Sequence, residues 1–199
     1  RTLSMGSGTW SITGNNGTIF NINTSTNLTL NPGTSTVDFT YSGSTGTRTV
    51  AGPNNTFLGN VKVSAGSDTF ASSGLALYWA NVDYTGFTGT GFLPTRISGN
   101  LTLGSGMSIS SSSNLTTFTS TSGTKTITSN GVAIDRPVIF DGVGGTWQLV
   151  DAMTVGSSRT VTLTNGTLDT NGQTCSWGLF SSSNSNTRVL TLGASTISL

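Results

Sequence analysis

Apolar residues in this chain return at every second position, and only for a few residues at a time. Leu101-Thr102-Leu103, Val161-Thr162-Leu163, Leu190-Thr191-Leu192 and Val61-Lys62-Val63 each put two apolar side chains on one side of an extended backbone and a polar one on the other. Turn-forming pairs separate such runs: Asn16-Gly17, Pro32-Gly33, Asn130-Gly131, Asn165-Gly166 and Asn171-Gly172. An amphipathic helix needs a longer uninterrupted stretch with a 3.6-residue period, and strong helix formers are scarce here. Glu is absent, and Lys and Gln occur twice each. The expectation is an all-β chain of many short strands with no helix.

Composition narrows the function classes. Ser, Thr, Gly and Asn make up more than half of the 199 residues, and only 8% are charged, against about 25% in ordinary soluble domains. Nine Phe, four Trp and a net charge of +1 argue against disorder, which needs few apolar residues and high net charge. That same near-zero charge supplies no steering toward nucleic acid or anionic lipid. No apolar run approaches the ~20 residues of a membrane-spanning helix, so neither nucleic-acid binding nor membrane insertion is expected. The chain starts at Arg1 with no Met and no signal peptide, and we expect it to be a segment of something longer. Cys175 is the single cysteine, so no intrachain disulfide can form.

The chain repeats itself. Residues 47–70 align without a gap on 124–147: Thr47-Arg48-Thr49-Val50 meets Thr124-Lys125-Thr126-Ile127, Val61 and Val63 meet Val138 and Phe140, and Thr69-Phe70 meets Thr146-Trp147. Upstream, Asn27-Leu28-Thr29-Leu30 meets Asn100-Leu101-Thr102-Leu103 at a slightly shorter offset, so residues 27–70 recur as 100–147. The two ends also match. Arg188-Val189-Leu190-Thr191-Leu192-Gly193 fits Arg1-Thr2-Leu3-Ser4-Met5-Gly6 without a gap. We therefore read 1–199 as one period of about 187 residues, and a few residues more, of a tandem array.

The stretches GTKTITSNG, DGVGGTWQLVDAMTVGSSRTVTLTNGTLDTNGQ and FSSSNSNTR carry a resemblance. They are similar to the Ser/Thr/Gly-rich tandem repeat modules of large bacteriophage structural or tail-fibre-like proteins and of repetitive bacterial surface proteins. The resemblance covers most of the chain, notably 33–70, 84–103 and 115–190. It implies a long extracellular or virion-borne fibre, and it brings no catalytic residues with it.

Two architectures fit an all-β repeat. In a β-solenoid, resembling a parallel β-helix, coils of roughly 20–25 residues stack on one another and each touches only its neighbours. The alternative is a string of tandem β-sandwich modules, for which the offset between the two internal copies is short. Low charge favours the solenoid, because like charges stacked at strand spacing repel.

Catalysis is not expected. The chain has no His, the usual general base and commonest metal ligand, and Cys175 has no His partner. No G-x-S-x-G elbow is present. Neither a cofactor nor a metal site is expected. Glycoside cleavage by a tailspike-like fragment would need carboxylates to converge, and Asp135, Asp141 and Asp151, with Arg136 beside them, form the densest acidic group. Their plainer role is as turn residues. For glycan binding the candidates are Tyr78, Trp79, Tyr84 and Phe87, from the most aromatic stretch, which could stack on sugar rings if exposed. Alternation would instead send part of this stretch into the core. The triplets Thr47-Arg48-Thr49, Thr124-Lys125-Thr126, Thr126-Ile127-Thr128 and Thr160-Val161-Thr162 resemble the Thr arrays of ice-binding solenoids, but their spacing is uneven. The function expected is a non-catalytic structural repeat of an extracellular or virion fibre, such as a phage tail fibre or appendage. Its partners would be neighbouring repeats or identical chains, with cell-surface glycans as a further candidate. A glycan-binding adhesin or surface-filament segment is the alternative.

Overall fold

The computed structural model describes residues 1–23, 27–53, 56–73 and 77–199. Asn54 and Asn55, inside the first copy of the internal repeat, lie outside the described residues. Every regular element among the described residues is a β-strand, and every strand pairing is parallel. Parallel neighbours cannot be joined by a tight turn and need a crossover. Here the crossover is made of further strands, so the chain winds into a β-solenoid with three ladders running along its length.

The first ladder stacks Thr9–Ile12, Thr36–Phe39, Asn60–Val63, Val82–Asp83, Leu101–Thr102 and Thr124–Thr128, then the second halves of Val138–Leu149 and Thr160–Asp169, then Arg188–Thr191. The second ladder stacks Gly17–Asn21, Thr47–Ala51, Thr69–Ser73, Thr90–Gly91 and Ser108–Ile109. It resumes with the bridge between Ile134 and Val155 and with Met153–Thr154, Cys175–Ser176 and Ile197–Ser198. The third stacks Thr56–Phe57, Leu77–Trp79, Arg96–Ile97 and Thr116–Phe118, then the first halves of the two long strands, then Leu179–Ser181. In the first two coils its place in the chain order is taken by Thr2–Ser4 and Thr29–Asn31, which pair with each other.

Register follows the alternation seen in the sequence. Trp10, Val37, Val61, Val82, Leu101, Ile127 and Leu149 lie in one row along the first ladder, and all but Trp10 are buried. Trp79, Ile97, Phe118, Phe140 and Leu163 form the matching inward row of the third. Phe118 and Phe140 stack with ring centroids 5.1 Å apart and planes 12° from parallel. Coil length varies more than expected: the coil from Trp10 to Val37 is longer than the anticipated range, and the one from Val82 to Leu101 is shorter. Corners absorb the difference while the strands keep register. Among the described residues nothing resembles the antiparallel pairing of a sandwich, so the alternative architecture is set aside.

The internal sequence repeat does not follow the coil. Thr47–Ala51 lies on the second ladder, but its counterpart Thr124–Thr128 lies on the first. Val61 is on the first ladder and its counterpart Val138 on the third. The terminal match behaves alike: Thr2–Ser4 takes the third ladder's place in the chain order, and its counterpart around Arg188–Thr191 lies on the first. What recurs in the sequence is a strand-and-corner segment, not a position around the cross-section.

Tight corners need glycine. Where Val138–Leu149 turns from the third ladder into the first, a Cβ on Gly142 would overlap the Ser120 carbonyl oxygen and sit 2.6 Å from the Trp147 ring. Gly142→Ala should therefore lower stability by about 1–3 kcal/mol, while Gly8→Ala, where nothing lies within 4 Å, should leave it unchanged; thermal melts of the two variants check this. Cys175 is fully buried, and burial raises its thiol pKa against the smaller opposing effect of a backbone hydrogen bond with Met153. It should resist a thiol-specific chromogenic reagent in the folded protein and react once denaturant unfolds the chain.

Candidate functional site

The polar side chains are organised along the axis. Where the third ladder turns into the first, Asn60 donates from Nδ2 to the carbonyls of Thr34 and Ser35 at 3.1 and 3.2 Å. Asn81 donates to Asn60 Oδ1 at 2.7 Å, the Asn100 amide donates to Asn81 Oδ1 at 2.7 Å, and the Thr126 amide donates to Asn100 Oδ1 at 2.9 Å. These links form an asparagine ladder, each rung one coil above the last. Ser11, Asp38, Lys62, Asp83, Thr102 and Thr128 form the outward row of the first ladder. Its charges alternate in sign, with Lys62 Nζ 3.9 Å from Asp83. Thr47, Thr69, Thr90 and Ser108 make a hydroxyl row on the second ladder, and the last two hydroxyls are 3.1 Å apart.

Inside the stack lies an ion pair that residue type alone would not place there, although Arg48 shares a face with Val50. Arg48 and Asp68 are both buried; Nε meets Oδ2 at 2.8 Å and Nη2 meets Oδ1 at 2.7 Å. The guanidinium also faces the rings of Tyr41, Phe70 and Phe87 at 5.5–5.6 Å. Charges this deep are tolerated only when paired and hydrogen-bonded.

The aromatic candidates fall mostly inside. Trp79, Tyr84 and Phe87 are fully buried, which corrects the expectation that they could stack on a sugar. Trp79 packs edge-on to Phe92, and Tyr84 lies 5.8 Å from Phe87 and donates its hydroxyl to the Phe92 carbonyl. Burial pushes the Tyr84 phenol far above its ordinary range. Tyr78 alone of the four points outward, half-buried and 4.8 Å from the Phe57 ring.

The carboxylates do not converge. Asp135 lies at the corner between the second and third ladders, Asp141 at that between third and first, and Asp151 at that between first and second. Each fastens one coil to the next. Asp135 accepts from Arg159 Nε at 2.8 Å, Asp141 from the Asn165 amide group, and Asp151 from the backbone N–H groups of Ser129 and Asn130 at 2.7 and 2.6 Å. The Ser111 hydroxyl and Arg159 hold the Asp135 carboxyl below its ordinary range. Nor do the Thr triplets form one array, since they lie on the second, first and third ladders. Among the described residues no group of three His, Cys, Asp or Glu comes together to hold a metal, and no helix is long and apolar enough to cross a membrane.

One feature of the second-to-third corner is a true concavity. A cavity of about 220 Å³ opens among Ala71, Ser72, Leu77, Phe92 to Thr95, Ser110 to Ser112, Asn114 and Arg136. Arg136 is 3% exposed. It donates to the carbonyls of Asn114 at 3.0 Å, Leu93 at 2.6 Å and Leu115 at 3.4 Å. Burial lowers its guanidinium to about 10, with Tyr84 acting weakly the other way, so it stays cationic at neutral pH. The sequence marked Arg136 only as a neighbour of the acidic group; its burial shows no signal in composition or period.

No protein-family model, curated protein or solved structure matches this chain.

Removing one partner of the buried pair leaves the other charge stranded. Asp68→Asn should cost about 3–5 kcal/mol, and the double replacement Arg48→Met with Asp68→Leu should cost less than either single change. Denaturant unfolding of Asp68→Asn, Arg48→Met, Asp68→Leu and the double variant measures the difference.

Proposed function

We propose that this chain is a non-catalytic structural repeat of a long extracellular fibre, with a virion appendage such as a phage tail fibre as the first assignment. The observation that carries the reading is the parallel three-ladder stack, in which each coil gains its core and its hydrogen bonds from the coils directly above and below. Such a body lengthens along one axis by adding coils. The sequence match between the two ends supports continuation of the same pattern. So does the surface chemistry, where hydroxyl and amide rows replace the like charges that would repel at strand spacing. The inward rows lose cover at the two ends of the stack: Trp10 is 37% exposed in the first coil, and Phe180, Leu190 and Ile197 are only half-buried in the last. Further coils of the same kind would cover them.

The partners in this reading are neighbouring repeats or identical chains. A cellular surface filament would use the same construction. The adhesin alternative loses three of its four aromatic residues to the core, and a polysaccharide-cleaving site loses its carboxylate pair to separate corners.

The test is the mass of the intact polypeptide from its native source on a fully denaturing gel. A mass many times the 20.4 kDa of this chain is expected, and rods of uniform width should appear by electron microscopy. A single band near 20.4 kDa would overturn the fibre reading.

A further inference from the structure

Among the described residues two arginines are buried, Arg48 and Arg136. Arg48 is neutralised by Asp68. Arg136 is bonded to no carboxylate; Asp38, Asp68, Asp83, Asp135, Asp141, Asp151 and Asp169 are the only acidic side chains in the sequence, and none of them is its partner. Its positive charge is offset by three carbonyl dipoles alone. A guanidinium has five N–H donors; three hydrogen bonds leave two unspent, and Arg136 is one of the residues that line the cavity.

The rest of the lining is of two kinds. Ser110, Ser111 and Ser112 bring hydroxyls, while Ala71, Phe92 and Pro94 bring apolar surface. A concave site with one fixed cation, a few hydroxyls and an apolar wall suits a small molecule that carries an anionic group, several hydroxyls and a ring face. At about 220 Å³ the cavity is smaller than the roughly 300–1,000 Å³ of drug-sized sites, which limits the occupant to a single ring. A cation in a low-dielectric wall also concentrates anions at the mouth of its cleft.

We propose that this corner cavity binds a single sugar acid. Its carboxylate would be held by Arg136, its hydroxyls by Ser110 and Ser112, and its ring face would lie against Pro94 and Ala71. The site is independent of the fibre reading and would serve a fibre or an isolated domain alike.

Titration calorimetry of the folded chain tests it, with glucuronate, with glucose as the neutral ring and with acetate as the bare carboxylate. Saturable binding of glucuronate is expected, with glucose and acetate each at least about tenfold weaker, as befits loss of a charge-assisted hydrogen bond or of the ring contacts. Ser110→Phe, which fills the cavity and breaks no side-chain hydrogen bond found in the structure, should abolish binding with the melting temperature retained. Arg136→Lys should weaken it about tenfold by losing the fork of donors. No saturable binding, equal binding of glucuronate and glucose, or binding unchanged in Ser110→Phe would each overturn the proposal. The gel measurement of the fibre reading is unaffected by any of these results.

Discussion

Each coil of this protein is fastened to the coil one turn away, by the backbone ladders and by side chains that reach across the gap between coils. The acidic residues show it most plainly. Asp68 holds Arg48, Asp83 lies beside Lys62, Asp135 holds Arg159, Asp141 holds Asn165, Asp151 holds Ser129 and Asn130, and Asp169 accepts from Gln148. Each of these contacts joins residues one coil apart. Arg136 goes further, reaching Asn114 one coil away and Leu93 two coils away. Individually an exposed pair of this sort contributes little. Together with the backbone ladders they fix which residue stands on which, and a slip of one position would turn every inward side chain outward.

The arrangement also accounts for an unusual pairing of features. Parallel strands are ordinarily covered on both faces, because helices make the crossovers, and their sequences then run continuously apolar. Here strands make the crossovers, so each ladder has one dry face and one wet face. The sequence alternates accordingly. The wet face must stack the same position over itself at about 4.8 Å, and that spacing penalises repeated charge. Thr, Ser and Asn tolerate it, and where charges occur, as in Asp38, Lys62 and Asp83, they alternate in sign.

Strand content, short strand length and the stacked architecture were legible in the chain because alternation and turn pairs are local signals. Asn60, Asn81 and Asn100 could have been found the same way, since they recur at coil spacing at or just before the start of a strand. Less could be read from the aromatic stretch at 78–87. Trp79, Tyr84 and Phe87 look like surface rings when taken as a cluster, yet a solenoid this narrow fills its centre with large side chains from all three ladders. The charge of Arg48 hid its inward position: it alternates with Val50 onto the buried face, but a charged residue is expected there only once its partner Asp68 is known. The internal repeat hid the coil for another reason: copies of one segment stand on different ladders, so sequence similarity and spatial equivalence part company.

The direction of the hydrogen bonds has a mechanical consequence. In every ladder they point along the axis of the rod, from one coil to the next. A tensile load on the two ends would therefore pull along these bonds and meet them one coil at a time, not all together as in shear between long strands. Failure would proceed by peeling, each step releasing a loop of one coil, as short as Val82 to Leu101 or as long as Trp10 to Val37. A rod of this kind would resist bending while yielding extra length in small, repeatable increments under tension.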